Sequence, residues 1–312
     1  MNELYKELKK YGRVRLNEPM RKHTTIQVGG PAEYLVSVND NDKLVGLLSY
    51  LSGEGVPFFI LGGGSNVLMS DNGFEGVVIS VETNKLDCQG GKIVCDSGAS
   101  FSSLVSAAAA NSLTGMEWAA GIPGTVGGAV RGNAGAMGSD TSQSIEDVYI
   151  WKDGEIISLQ RNECDFGYRN SIFKKDGGVI LRIIFKFSPG DAKEILRLTS
   201  DNIAGRHGRH PALPSAGSFF KNIKLANWPG EPGLLPAQYR ERGTIPAGYL
   251  IEELGLKGFQ IGGAGVSQEH GNFIVNYGGA TQADIIAVVE AVKEKVYNRY
   301  GVELVPEVEI VK

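Results

Sequence analysis

Three consecutive glycines, Gly62, Gly63 and Gly64, end the apolar run Phe58-Phe59-Ile60-Leu61 and lead directly into Ser65-Asn66-Val67-Leu68. A strand that opens into residues without Cβ atoms delivers a backbone surface that another group can approach closely, and successive N–H groups on such a surface form a nest for an anion. Residues 121–138, Gly-Ile-Pro-Gly-Thr-Val-Gly-Gly-Ala-Val-Arg-Gly-Asn-Ala-Gly-Ala-Met-Gly, repeat the theme with seven glycines in eighteen positions, and Thr125, Arg131 and Asn133 stand among them. The chain holds 43 glycines in 312 residues but has no Gly-X-Y period and only 12 prolines, which makes a collagen helix or simple disorder a poor fit. No Gly-Lys-Ser/Thr follows the first cluster, so it is not a Walker A loop, and Val67 stands where a dinucleotide fingerprint would need its last glycine. Alone, the first loop also reads as a flexible turn, and the second as a packing seam against the alanine-rich segment 107–110. Together they fit a large, flat, phosphate-bearing ligand, and a flavin dinucleotide answers that description.

Charge narrows the partners further. The 31 Lys and Arg nearly balance the 35 Asp and Glu, leaving a net charge of −4 and no basic field for nucleic-acid phosphates or anionic lipids. Cys88, Cys95 and Cys164 cannot all pair within the chain and lack CxxC spacing, which fits a reducing cytoplasm better than a disulfide scaffold or a cysteine-built zinc site. His207, His210 and His270 lack H-x-x-x-H spacing and acidic companions, so no metal is expected. The amino terminus carries no apolar signal core, and no run of about 18 apolar residues occurs, so a soluble, cytoplasmic protein without membrane insertion is expected.

The periodicities read as α+β. A short amphipathic helix covers 1–10. Strands are expected at 34–38, 57–61, 77–81, 92–95, 148–151, 156–159 and 179–187, with a hairpin turn at Asp153-Gly154 and one helix interrupting them from 101 to about 113. A helix after Ser188-Pro189-Gly190-Asp191 reads as a hinge or linker. The segment 224–246, with four prolines and three glycines, reads as a long irregular loop. Another helix runs from 247 to 254, and the last opens with the capping box Thr281-x-x-Asp284 and stops before Gly301. Residues 302–311 read as a terminal edge strand because of Pro306. The expected domains are a lead-in at 1–20, a first domain at 21–188, a linker helix at 189–211 and a second domain at 212–312.

Five motifs in order, LGGGSN, GIPGTVGGAVRGNAGAMG, GYRNSIF, GSFFKN and PEVEI, closely resemble the UDP-N-acetylenolpyruvoylglucosamine reductase family, from His23-Thr24-Thr25 to the carboxyl end. The resemblance implies a vanillyl-alcohol-oxidase-type FAD-binding domain of two α+β subdomains, followed by a smaller α/β substrate-binding domain. It implies non-covalent FAD, NADPH as electron donor, and reduction of UDP-N-acetylglucosamine enolpyruvate to UDP-N-acetylmuramate, a peptidoglycan precursor. The residues implied to hold FAD are Gly62, Gly63, Gly64, Ser65 and Asn66 in the first loop. In the second they are Gly121, Ile122, Pro123, Gly124, Thr125, Gly127, Gly128, Arg131, Asn133, Ala134 and Gly135.

The implied reaction adds a hydride to the terminal carbon of an enolpyruvyl ether, so negative charge develops on the adjacent carbon and spreads into the carboxylate. Fixed donors must meet that charge, and a proton must then reach the carbon. By resemblance, Arg169 offers the planar fork for the carboxylate, Ser218 is the proton donor, and Glu307 is the third catalytic residue. Tyr168, Lys221 and Asn222 are substrate-binding candidates. If 218–222 is helical or turned, Lys221 and Asn222 both share Ser218's side; if extended, only Asn222 does. Ile223 replaces the family's usual Pro, and the interval from Arg169 to Ser218 has no room for the extra tyrosine-bearing substrate loop of one branch, so the chain resembles the loop-lacking type. The alternatives are an FAD-dependent oxidase of the same fold and a catalytically silent flavin or nucleotide-sugar binding module.

Overall fold

Apolar residues at two-residue and 3.6-residue spacing build two units that interleave along the chain. One comprises Met1–Glu18, Ala32–Gly63 and Glu75–Gly208; the other comprises Pro19–Pro31, Gly64–Phe74 and Arg209–Lys312. The computed structural model describes residues 3–175, 178–208 and 210–311, and of His207 only the backbone. The units are thus not consecutive segments, and the chain passes from one to the other between Gly208 and Arg209.

The first unit holds two large sheets beside two-stranded pairings of Gly135–Ala136 with Ser139–Asp140 and Leu113–Thr114 with Ser188–Pro189. In one, Arg13–Pro19, Pro31–Val38, Phe74–Val81 and Phe58–Leu61 lie side by side, the last two parallel. In the other, the order is Glu155–Gln160, Ile145–Lys152, Val179–Lys186, Lys92–Asp96 and Leu86–Gln89, antiparallel throughout. The expected hairpin at Asp153-Gly154 is present, with both residues at positive φ (51° and 89°) as a tight turn demands.

One helix was expected between 33 and 187; three α-helices are found there among the described residues. Asn41–Gly53 is capped by Asp40, whose carboxylate accepts from the N–H groups of Asp42 and Lys43, and it buries Leu44, Leu47, Leu48 and Leu51 along one stripe. Phe101–Ala110 is the expected helix, ending three residues early. Val126–Gly132 has three glycines in seven residues and little intrinsic propensity; Thr125 caps it, and buried Val126, Ala129 and Val130 anchor it.

The helix expected to act as a linker, Ala192–His207, lies within the first unit. Its Asn202 amide donates to Glu117 O at 2.9 Å, and the Arg206 guanidinium donates to Trp118 O and Ala120 O, both at 2.8 Å. Burial lowers the affinity of that guanidinium for its proton.

In the second unit the sheet order is Ser215–Ser218, Phe273–Asn276, Ala264–Val266 and Gln260–Ile261, all antiparallel. The long helix Gln282–Tyr300 buries Ile285, Val288, Val289, Val292 and Val296, opens with the expected Thr281–Asp284 capping box and ends at Gly301 with φ 69°. The segment 224–246 is not irregular. Ile223–Lys224 pairs with Thr244–Ile245, and between them lie two 3-10 turns and the helix Ala237–Arg242, stopped by left-handed Gly243. Within 302–311 only Glu309–Ile310 is a strand, and it lies parallel to Val67–Leu68.

Among the described residues no helix is long and apolar enough to cross a membrane, and no cluster of metal-ligating side chains occurs. The three cysteines are free. Burial pushes the Cys95 thiol up to about 12 and Cys164 up to about 11, so neither is a reactive thiolate at neutral pH.

Candidate active site

The two glycine clusters meet inside the first unit. A Cβ placed on Gly62 would lie 2.5 Å from Thr125 Oγ1, and one on Gly63 would lie 2.8 Å from Gly124 Cα. The missing side chains therefore let one loop seat on the other. Gly127 is just as confined, since its Cβ would lie 2.7 Å from Ser97 Cβ. The second loop packs against the first loop and against Ser97, and its Val126, Ala129 and Val130 share a core cluster with Ala108 of the alanine-rich segment.

Most polar groups of the second loop are spent on its own shape. The N–H groups of Val126 and Gly127 donate to Ala99 O and Ser97 O, and Gly128 donates to Thr125 Oγ1. Asn133 is buried in a left-handed conformation (φ 42°); its Oδ1 accepts from Ser142 N–H at 3.0 Å, and its Nδ2 donates to Gly167 O at 2.9 Å. The Arg131 carbonyl accepts from Ser171 Oγ at 2.6 Å. Ile122 N–H donates to Ala119 O, and the Ala134 carbonyl accepts from both Thr141 N–H and Thr141 Oγ1. By contrast, the Gly63 and Gly124 amides donate to nothing among the described residues.

The GYRNSIF motif docks on the same loop. Gly167 and Asn170 exchange two backbone hydrogen bonds at 3.0 and 3.1 Å, enclosing Tyr168 and Arg169 in a two-residue turn. Arg169 sits at φ 54°, an uncommon conformation for a residue with a long side chain. Its guanidinium donates to Gly135 O at 2.7 Å and lies over the Tyr168 ring, 5.2 Å from the centroid. Lys174 Nζ donates to Arg169 O at 3.1 Å. The arginine is thereby fixed at both backbone and head group.

Ser218 and Glu307 come together within the second unit. Phe219 O, in the residue after Ser218, accepts from Glu307 N–H at 2.8 Å, and Lys221 N–H donates to Val305 O at 2.9 Å, which sets Phe220 opposite Pro306. Asn66 joins this seam: its Nδ2 donates to Glu307 O at 3.3 Å, and its carbonyl accepts from Glu309 N–H at 3.0 Å. Gly64, with φ 62°, has no room for a side chain, since a Cβ would lie 2.0 Å from His23 O; its carbonyl accepts from Thr25 N–H. Thr25 Oγ1 in turn donates to Ser215 O at 2.7 Å.

The Ser218 hydroxyl makes no hydrogen bond among the described residues, and neither does the Lys221 ammonium. The segment is extended, and the Asn222 side-chain Oδ1 accepts from Ala247 N–H at 3.3 Å at the start of the helix Ala247–Glu253. A cavity of about 960 Å³ on the second unit, lined in part by Arg21, Gln27, Asn276 and Tyr277, contains none of the expected site residues.

Residues 32–159 match the family described as FAD binding domain, and residues 209–311 match the one described as UDP-N-acetylenolpyruvoylglucosamine reductase, C-terminal domain. The UDP-N-acetylenolpyruvoylglucosamine reductase of Caldanaerobacter subterraneus is 40% identical over 309 residues, covering 98% of this chain and 96% of the relative. The chain belongs to the UDP-N-acetylenolpyruvoylglucosamine reductase family. The Bacillus subtilis reductase is 37% identical over 318 residues, covering 100% and 99%. The crystal structure of the Thermus caldophilus reductase superposes with a TM-score of 0.78 at 33% identity, covering 96% of this chain and 98% of that one.

The α+β architecture is that of a reductase of this family, with an FAD binding domain and a family-specific C-terminal domain. The glycine loops fit the cofactor: Gly63 and Gly124 present uncommitted amides, a Cβ on Gly63 would lie 2.8 Å from Gly124 Cα, and Gly124 sits at φ 114°. Sequence reasoning missed Asn272, Asn202 and Arg206, whose bonds all reach across more than fifty residues. No local spacing announces such contacts.

Proposed function

We propose that Arg169, Ser218 and Glu307 carry the reaction of this flavin-dependent oxidoreductase. The enzyme reduces UDP-N-acetylglucosamine enolpyruvate to UDP-N-acetylmuramate with NADPH, a step of peptidoglycan precursor synthesis. FAD, held without a covalent bond at the glycine loops, supplies the hydride chemistry between NADPH and the enolpyruvyl double bond. Arg169 meets the substrate carboxylate with a planar guanidinium fork aimed at the charge that develops there. Ser218 passes its proton to the carbanionic carbon, and Glu307 hydrogen-bonds the enolic carboxylate or orients the proton's path. The observation that carries this reading is an uncommitted Ser218 hydroxyl on a backbone bonded at 2.8 Å to Glu307. Lys221, also uncommitted, suits a substrate phosphate or carboxylate better than Asn222, whose side-chain Oδ1 is engaged by Ala247 N–H. Free thiols and the lack of a membrane-crossing helix among the described residues support a cytoplasmic location.

Anaerobic mixing tests the function. NADPH should bleach the flavin absorbance, and the enolpyruvyl sugar nucleotide should restore it without oxygen. Bleaching that only oxygen reverses would overturn the reductase reading in favour of an oxidase.

A further inference from the structure

The Ser218 strand departs from regular sheet pairing at the point where chemistry is assigned. Ser218 faces Phe273 in the antiparallel register, but the ladder bond that should return from Asn272 N–H to Phe219 O is absent, because Asn272 N–H donates to His270 Nδ1 at 3.0 Å and Phe219 O accepts from Glu307 N–H instead. Gly271 is turned away, with its N–H donating to Glu252 Oε1 at 2.8 Å. Asn272 takes over. Its backbone carbonyl accepts from Phe219 N–H at 2.7 Å, its Oδ1 accepts from Phe220 N–H at 2.9 Å, and its Nδ2 donates to Phe220 O at 2.8 Å. A primary amide has the donor and acceptor of a peptide group, and here it replaces one. On the other edge the chain is held by Glu307 and Val305.

Asn272 is 3% exposed, and Phe219 and Phe220 are buried with their rings 5.5 Å apart in an edge-to-face contact. Every backbone donor and acceptor from Phe219 N–H to Lys221 N–H is therefore paired at 2.9 Å or less. An apolar residue at 272 would leave a buried N–H and a buried C=O without partners. The backbone that bears Ser218 is fixed from both sides while the hydroxyl itself stays uncommitted.

We propose that Asn272 is the positioning residue for the Ser218 hydroxyl: its side-chain amide pairs both backbone groups of Phe220, which the neighbouring strand does not reach, and holds the proton donor in register with the substrate carbon. This rests on the reading of Ser218 as the proton donor. Asn272 touches neither substrate nor cofactor in this role and acts through Phe219 and Phe220.

The test separates the two half-reactions in Asn272→Ala, Ser218→Ala and the double variant, each purified with FAD bound. Asn272→Ala should leave bleaching by NADPH within about two-fold and slow substrate-driven recolouring by about 100-fold, the penalty expected for an ångström-scale misplacement. In the Ser218→Ala background the same change should slow recolouring by less than about two-fold, because a positioning residue has nothing left to position. Equal slowing of both half-reactions, or the full Asn272 effect persisting without Ser218, overturns the proposal. If Ser218→Ala alone leaves recolouring unchanged, the proton-donor reading falls instead. Asn272→Asp, which keeps the Oδ1 acceptor but loses the donor to Phe220 O, should show the same split if the alanine variant does not fold. Failure of both variants to bind FAD would assign Asn272 to the fold as a whole and overturn the proposal.

Discussion

The glycine loops of the first unit and the Ser218 seam of the second solve opposite problems. In the loops, side chains are removed so that backbone can meet backbone, and the polar side chains that remain, Thr125 and Asn133, are used up in shaping the turn. In the seam, backbone groups are saturated and the Ser218 hydroxyl and Lys221 ammonium are left uncommitted. A cofactor that stays bound is served by a surface whose donors belong to the main chain, which cannot rotate away. A group that must give up a proton is served by a rigid mount under a mobile hydroxyl.

The sharpest way to break this contrast is at its reacting end. Ser218→Ala should slow substrate-driven recolouring of the flavin by about 10²–10⁴-fold while bleaching by NADPH stays nearly intact. Equal loss of both steps, followed by stopped-flow absorbance, would mean that the seam also serves the cofactor.

The loop end should respond the other way. In Gly63→Ala the new methyl would meet Gly124 Cα at 2.8 Å, and both neighbours are main chain that cannot swing aside. Forcing them apart at an overpacking penalty of about 1–3 kcal/mol predicts FAD binding weaker by about 5- to 150-fold. Flavin content after dialysis measures it. Gly132→Ala, where a Cβ meets nothing within 4 Å, is the control and should retain flavin fully.

The smallest expected effect concerns neither end. Asp284 has its pKa lowered, first by the hydrogen bond from Thr281 N–H and then by that from Gly263 N–H. A carboxylate depressed in the folded state stabilises above its unfolded value near 4 and loses that contribution as pH falls through the folded value. Asp284→Asn should therefore lower Tm by about 2–4 °C at pH 7, and the gap should close on acidification below about pH 4. A gap that persists at low pH would show that charge is not the cause.

Local chemistry made parts of this molecule readable in advance. The Thr281–Asp284 box and the Asp153-Gly154 turn are set by residues at most three apart, and both stand where expected. Asp40 followed by Leu44, Leu47, Leu48 and Leu51 carries a helix signal that the β-rich surroundings masked. Pro236 and Gly243 bracket a helix inside a segment whose prolines read as loop. The glycine-rich helix Val126–Gly132 has no periodicity to detect and exists because of what it packs on. The motifs located Arg169, Ser218 and Glu307, but the groups that hold them, Gly135, Asn272 and Asn66, act from far along the chain.

The pairing of Val67–Leu68 with Glu309–Ile310 has a consequence for biosynthesis. During translation, the early strand waits through the production of some two hundred and forty residues before its partner exists, whereas the sheets of the first unit have all their strands by Pro189. The seam that joins Asn66, Phe219 and Glu307 is therefore assembled last on the ribosome. A fragment beginning at residue 209 would be born without Ile26, Val28 and Leu68, which fill its core, and should be insoluble unless the earlier stretches are supplied in trans.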